Sequence, residues 1–468
     1  MIAKIYGSAL QGVEAFRIII EVSITNGTGY TITGLPGDAI KESLSRISIA
    51  LQNNGFRMPR TRLVINLAPA NVRKNGTVLD LPIAIGILLA SEQLPDFGKL
   101  EDHIFVGELG LNGSIYPVSG ALCMAHQAAK ENCHGIIVPA VNAQEAALVK
   151  GINVFPVAHL YDLIEFIKSD FTIQPEHAPP LKSETIPDEP DFKDVRGQES
   201  VKRAMEIAAA GGHNLLMCGF PGTGKTMLAK RLPSILPPMT ATEALDTTRI
   251  YSVLGNGVPL TRILTRRPFR NPHHTSSDMA LAGGGACCVP GEITKAHNGV
   301  LFLDELPEFK RNAIEVLRQP LEERKVTIAR AQMTMEYPAS FMLVASMNPC
   351  PCGFFNHPHR QCTCNRSAIE YYRRKISGPL LERIDLHVEV DSVPLAELME
   401  KRPAASSATI RERVIRAREI QSSRYKDRPG VHCNAQMPDE DIDAYCFMDP
   451  SAKKYFFNAI TFLLPISF

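Results

Sequence analysis

Phe16-Arg-Ile-Ile-Ile-Glu-Val-Ser-Ile24 alternates in the manner of a strand with one well-buried face, and Arg62-Leu-Val-Ile-Asn-Leu67 and Gly135-Ile-Ile-Val-Pro139 read as further strands. Between them, Asp38 to Asn53 and Gly120 to Glu131 carry helical periodicity. Residues 1–172 are therefore expected to form an α+β domain. Residues 173–190, rich in proline and charge and without periodicity, read as a linker. From 191 to 393 strand and helix patterns alternate, as in a parallel, helix-covered sheet. Residues 394–468 read as a helical segment containing the helix Ser407–Tyr425, which concentrates Arg411, Arg413, Arg416 and Arg418. That cluster reads first as a solvated helix face, with a nucleic-acid contact as the alternative.

The chemistry concentrates in the third segment. Gly219-Phe-Pro-Gly-Thr-Gly-Lys-Thr226 fits GxxxxGKT and lies between a short apolar strand, Asn214–Cys218, and a helix, Met227–Leu232. Glycines at such a turn let consecutive backbone N–H groups converge on phosphates at a helix N-terminus. Phe220, Pro221, Gly222, Thr223 and Gly224 complete the loop; Lys225 would reach the β- and γ-phosphates, and Thr226 would hold Mg²⁺. A second apolar strand, Gly299-Val-Leu-Phe-Leu-Asp-Glu305, ends in two carboxylates. Asp304 suits the Mg²⁺ shell, and Glu305 would polarise the attacking water. The two halves together predict a nucleoside-triphosphatase using ATP and Mg²⁺.

Bulk properties narrow the partners. At 468 residues the chain suggests about three domains, and 50 Lys plus Arg nearly cancel 49 Asp plus Glu, so no global field draws it to nucleic acid or membrane. The longest apolar runs, Leu81–Ala90 and Ala459–Phe468, reach about half the ~20 residues of a bilayer-spanning helix. The N-terminus shows no signal-peptide pattern, so a cytoplasmic protein is expected. Eleven cysteines fit reduced thiols and a metal site better than a disulfide framework. Cys350, Cys352, Cys362 and Cys364 form CxC, nine residues, CxC. If each pair is extended, a hairpin would bring four thiolates around Zn²⁺; unligated cysteines are the alternative. His357 and His359, between the pairs, read as solvent-exposed loop residues.

Four further stretches carry a resemblance: Arg267-Pro-Phe-Arg-Asn-Pro-His-His274, Pro290-Gly-Glu-Ile-Thr-Lys-Ala-His-Asn-Gly-Val-Leu-Phe-Leu-Asp-Glu-Leu-Pro-Glu-Phe309, Leu317-Arg-Gln-Pro-Leu-Glu322 and Gly378-Pro-Leu-Leu-Glu-Arg-Ile-Asp-Leu386. With the two motifs above, they make the chain resemble the YifB/ComM family of magnesium-chelatase-like AAA+ ATPases over nearly its whole length. The resemblance implies an α/β P-loop core, a homo-oligomeric ring, most often hexameric, and action on single-stranded or branched DNA, driving branch migration during recombination of DNA taken up in competence. It implies that Asn348 is the sensor positioning the hydrolytic water and that Arg383 is an arginine finger reaching a neighbouring subunit's γ-phosphate. An ordinary helix-end salt bridge is the other reading of Arg383. Lys325–Ala331 reads as a strand of an inserted hairpin. By analogy with ring helicases, Arg324, Lys325 and Arg330 would meet DNA phosphates, against the plainer reading of ordinary surface charge.

The first domain resembles the Lon-type protease fold. The position of its nucleophilic Ser is Asp80 here, and that of its Lys is Leu122, so proteolysis is expected to be lost. Family members continue into a lid bearing a Ser-Ala-Arg arginine. Here the chain closes on Ile460-Thr-Phe-Leu-Leu-Pro-Ile-Ser-Phe468, and an incomplete lid is expected. Two rivals to a DNA motor follow: a chelatase-type ATPase remodelling a protein partner, and a nucleotide-operated scaffold with weak turnover.

Overall fold

The computed structural model describes residues 2–95, 98, 100–169, 173–177, 190–255, 260–285, 288–330, 333–393, 404–428 and 430–463. Most of the expected linker, the start of the last segment and the end of the apolar tail lie outside these residues. In chain order the first elements are β1 (Ile2–Gln11), β2 (Glu14–Thr25), β3 (Tyr30–Thr33), α1 (Asp38–Asn53), β4 (Arg62–Ala68), α2 (Asp80–Ala90), β5 (His103–Phe105), α3 (Ala121–Lys130), β6 (Gly135–Pro139), β7 (Asn153–Val157) and α4 (Leu160–Lys168). Then come α5 (Glu199–Gly211), β8 (Leu215–Gly219), α6 (Lys225–Ile235), α7 (Ala241–Leu254), β9 (Phe269–Arg270), β10 (Val300–Leu303), β11 (Lys325–Arg330), β12 (Met333–Pro338) and β13 (Met342–Met347). The last are α8 (Arg366–Arg374), β14 (Leu386–Val390), α9 (Ser407–Arg424), α10 (Asp439–Tyr445) and α11 (Pro450–Leu463).

These elements gather into two compact units. The first comprises residues 1–188, 238–341 and 375–380, and the second 189–237, 342–374 and 381–468. They cut across the segments expected from sequence, because the middle of the ATPase segment packs with the N-terminal portion. In the first unit the Arg249 guanidinium of α7 donates to the Val13 carbonyl at 3.1 Å and meets Glu14 at 2.9 Å, on the β1–β2 turn.

The first unit is built on a seven-stranded mixed sheet in the order β3-β4-β2-β1-β5-β6-β7. Strand β2 pairs antiparallel with β1 and β4, and the remaining neighbours are parallel. Helix α1 buries Ile40, Leu44, Ile47 and Leu51, a stripe with the i, i+4, i+7 spacing of one helix face. In α2 every residue is buried, which is why its sequence shows a run and no periodicity. Glycine permits its close approach to the sheet: a Cβ on Gly86 would lie 2.7 Å from Val22 Cγ2. The same unit holds the parallel pair β9–β10 and the antiparallel hairpin β11–β12.

The second unit centres on three parallel strands, with β8 between β13 and β14. Asn214 fastens this trio at its start. Its side chain accepts from the Leu343 N–H at 2.8 Å and donates to the Arg383 carbonyl at 2.8 Å, while its own N–H donates to Asp385 at 2.9 Å. Helix α9 docks along α5 and α6, and the arginines expected to form a solvated face are what dock it. Arg413 forms a two-point pair with Glu206 at 2.6 and 3.0 Å, Arg411 donates to the Ser234 carbonyl at 2.6 Å, and Arg418 to that of Ala209 at 3.1 Å. Arg411 and Arg418 are half-buried, whereas Arg416 and the paired Arg413 are exposed. The guanidinium forks satisfy carbonyls near helix ends, a role that periodicity could not separate from solvation. Among the described residues no helix is long and apolar enough to cross a membrane.

Candidate functional site

Strand β8 ends at Gly219 and α6 begins at Lys225, so the glycine-rich loop occupies the strand-to-helix turn its pattern requires. Gly222 and Gly224 hold φ of 83° and 88°, the left-handed region that a side chain disfavours. Lys225 is 9% exposed, and its ammonium donates to the carbonyls of Gly219 (2.6 Å) and Phe220 (2.9 Å) and to Asn348 Oδ1 (3.2 Å). Strand register explains that last contact. Cys218 pairs with Met347 in the parallel β8–β13 ladder, so the next residue of each strand, Gly219 and Asn348, emerges at the same sheet end. Thr223 Oγ1 donates to the Phe220 carbonyl at 2.9 Å, closing the loop, and Thr226 is half-buried in the first turn of α6. A buried cation with neutral oxygens among its acceptors, beside a helix N-terminus, fits a polyphosphate.

In the other unit, buried β10 delivers Asp304, half-buried, and Glu305, exposed. Glu305 adopts φ 55°, ψ 49°, a left-handed conformation that costs a non-glycine residue about 1–2 kcal/mol. Its carboxylate is half exposed and lies 3.7 Å from His274 Nδ1. His274 is a residue that sequence reading left without a role, although it sits in the quoted Arg267–His274 motif. The motif's arginines are structural: Arg267 meets both Glu243 oxygens at 3.1 and 3.2 Å and the Asn298 carbonyl at 2.8 Å, and Arg270 meets Glu292 at 2.6 Å. His297 is nearly buried, and its Nδ1 accepts from the Ser340 N–H at 3.0 Å. Burial pushes its imidazole down to about 4.

Arg383 lies half-buried just before β14, its carbonyl held by Asn214. The hairpin exists as expected, with Val326 and Ile328 buried. Of its three basic residues, Lys325 is paired across the strands with Glu336 at 3.0 Å, and Arg324 donates to Ser340 Oγ at 3.3 Å. Arg330, at the end of β11, is exposed. In the N-terminal domain Asp80 is buried and clamped by Arg46 at 3.0 and 3.2 Å, with burial pushing its carboxyl up to about 6 against that pull. Leu122 is fully buried.

The four cysteines converge, their sulfurs all within 4.8 Å of one another. The route differs from the extended hairpin expected. Cys350 and Cys352 lie in a tight turn closed by the Gly353 N–H donating to the Cys350 carbonyl at 3.0 Å, and the second pair lies in irregular chain leading to α8. Prolines at 349 and 351 remove the donors a ladder would need. His357 also departs from the expected exposed loop, its ring 4.5 Å from that of Phe220, while His359 is exposed as expected.

Residues 191–398 match the family described as magnesium chelatase, subunit ChlI; residues 20–142 match subunit ChlI of Mg-chelatase, and 404–463 its C-terminal part. The chain is 42% identical to an uncharacterized protein YifB of Salmonella typhimurium over 96% of this chain and 86% of that one. It is 41% identical to the competence protein ComM of Haemophilus influenzae, over 95% and 86% respectively. A more distant similarity, 25% over 34% of this chain, reaches the magnesium-chelatase 38 kDa subunit of Rhodobacter capsulatus.

Proposed function

We propose, for a chain that belongs to the YifB/ComM family of magnesium-chelatase-like proteins, an ATP-hydrolysing ring motor that works on single-stranded or branched DNA in the cytoplasm. The observation that carries the nucleotide half is the Lys225 ammonium beside Asn348, at the end of β8 where α6 begins. In this reading Gly219–Thr226 wrap the phosphates, Thr226 and Asp304 hold Mg²⁺, Glu305 orients the attacking water, Asn348 helps place it, and Arg383 acts across a subunit boundary. Mg²⁺, when bound, neutralises charge on the phosphates. The DNA half is supported by the ComM similarity and by exposed Arg330. The functional division is 1–172, 173–190, 191–393 and 394–468. The N-terminal domain serves as a non-proteolytic module, since neither clamped Asp80 nor buried Leu122 supplies a nucleophile or base.

One observation favours a second reading. Lys325 is neutralised by Glu336 and Arg324 is turned to Ser340, so the hairpin offers less positive charge than its sequence suggests, which suits a protein partner better than phosphates. ATP turnover measured with no DNA, single-stranded DNA and branched DNA decides. Stimulation by DNA that fades as salt rises is expected of the motor. Turnover indifferent to all three would refute it.

A further inference from the structure

We propose that Cys350, Cys352, Cys362 and Cys364 bind one zinc ion as four thiolates, and that this metal knuckle holds the phosphate loop in shape. The sulfur separations are 3.3 Å for Cys350–Cys352, 3.7 Å for Cys350–Cys362 and 3.6 Å for Cys352–Cys362. Tetrahedral zinc with Zn–S bonds of ~2.3 Å puts sulfurs about 3.8 Å apart. A disulfide would need ~2.05 Å, so the set is arranged around a common centre and not in bonded pairs. Backbone N–H groups also point at the sulfurs: Cys352 donates to Cys364 Sγ at 3.4 Å, Phe355 to Cys350 Sγ at 3.3 Å and Cys364 to Cys362 Sγ at 3.4 Å. Backbone donors around these sulfurs suit thiolates carrying negative charge. A closed set of four thiolates with no position left open is a structural site, and zinc is the divalent ion that takes it in tetrahedral form.

The site's neighbours give it a task. A single residue, Pro349, separates the first ligand from Asn348, which contacts Lys225. Gly353, with φ 83°, packs so closely on the loop that a Cβ there would lie 2.5 Å from Pro221 Cγ. The His357 ring meets Phe220 edge-on, and Arg373 lies over the Phe355 ring at 5.4 Å while donating to the Pro349 carbonyl at 3.5 Å. Residues 349–365 contain no helix or strand to order them. Fixing each such residue costs about 1–2 kcal/mol of backbone entropy, which a metal tie offsets. Losing the ion would free the segment that supports Phe220, Pro221 and Asn348 together. This second half rests on the reading of residues 219–226 as a nucleotide site.

The test uses the full chain, purified without a metal-binding tag. Elemental analysis is expected to give one zinc per chain, and replacement by Co²⁺ to give the absorption of a tetrahedral thiolate site. Zinc well below stoichiometric together with no such cobalt spectrum, or iron in zinc's place, would overturn the site. ATP added to the cobalt-loaded, fully folded protein is expected to shift its visible bands, and Cys362→Ser to weaken ATP binding about tenfold. An unmoved cobalt spectrum, or a zinc-free Cys362→Ser protein that keeps its ATP affinity, would overturn the coupling. If the unaltered protein binds no nucleotide at all, the nucleotide reading and the coupling fall, and the metal count still decides the site.

Discussion

Lys225→Ala isolates what the phosphate loop contributes to binding. The ammonium has three donors, and among its acceptors are three neutral oxygens at 2.6, 2.9 and 3.2 Å. To hold the β- and γ-phosphates it must exchange at least two of these for charged acceptors. A hydrogen bond to a charged partner contributes roughly 1.5–3 kcal/mol against roughly 0.5–1.5 for a neutral one, so each exchange gains about 1–1.5 kcal/mol. Two exchanges give about 2–3 kcal/mol, a loss of roughly 30- to 150-fold in ATP affinity when the amine is removed. AMP lacks both phosphates and is expected to bind the variant as it binds the parent. Titration calorimetry with ATP, ADP and AMP measures the series. ATP affinity unchanged within about threefold, or an equal loss for AMP, would refute the exchange argument.

Glu305→Gln is expected to bind ATP normally and to hydrolyse it at least about 100-fold more slowly, read from turnover at saturating ATP; undiminished hydrolysis would sink its role. Arg383→Ala is expected to keep ATP affinity and lose turnover, with partial recovery on mixing with Lys225→Ala subunits, followed against mixing ratio; full activity of the single variant would exclude the finger. His297, held down to about 4 against an ordinary 6.5, contributes stability that is fully present above pH 6.5 and lost as pH falls toward 4. Urea unfolding should show roughly 2 kcal/mol less stability at pH 5 than at pH 7, and His297→Gln should flatten the slope. Arg413→Ala should weaken α9 docking by about 1 kcal/mol, the modest worth of a half-exposed pair, and show as faster proteolysis after α9.

What the sequence revealed follows from how local each feature is. Helix α1 spans Asp38–Asn53 as expected because its stripe is a property of the segment alone. The same holds for the loop between β8 and α6, where glycine spacing and flanking strand and helix lie within a short stretch of chain. The α9 arginines were illegible for the opposite reason. Their partners, Glu206, Ser234 and Ala209, lie far away in sequence, and a guanidinium on a polar face looks the same whether it meets water or a carbonyl. The strained Glu305 backbone leaves no trace in composition, since any residue type at that position would have read as the end of a strand. The cysteines signalled their convergence by pairing, but the prolines at 349 and 351 and Gly353 decided that the first pair folds as a turn.

The parallel trio of strands explains why residues so far apart share one site. In a parallel sheet all C-terminal strand ends face the same way, and the crevice beyond them is where such folds bind ligands. Strand β8 runs out into the phosphate loop, and β13 runs out into Asn348 and, two residues later, the first cysteine. Asn348 is 123 positions from Lys225 yet 3.2 Å from its amine, because the Cys218–Met347 register brings the C-terminal ends of the two strands side by side. A one-residue slip of β13 would turn Asn348 to the opposite face and carry the cysteine turn away from Pro221 with it. All six side chains of β13 are buried, so such a slip would move each of them from one covered face to the other, and the fit of individual side chains on the two packed faces holds the register of the site.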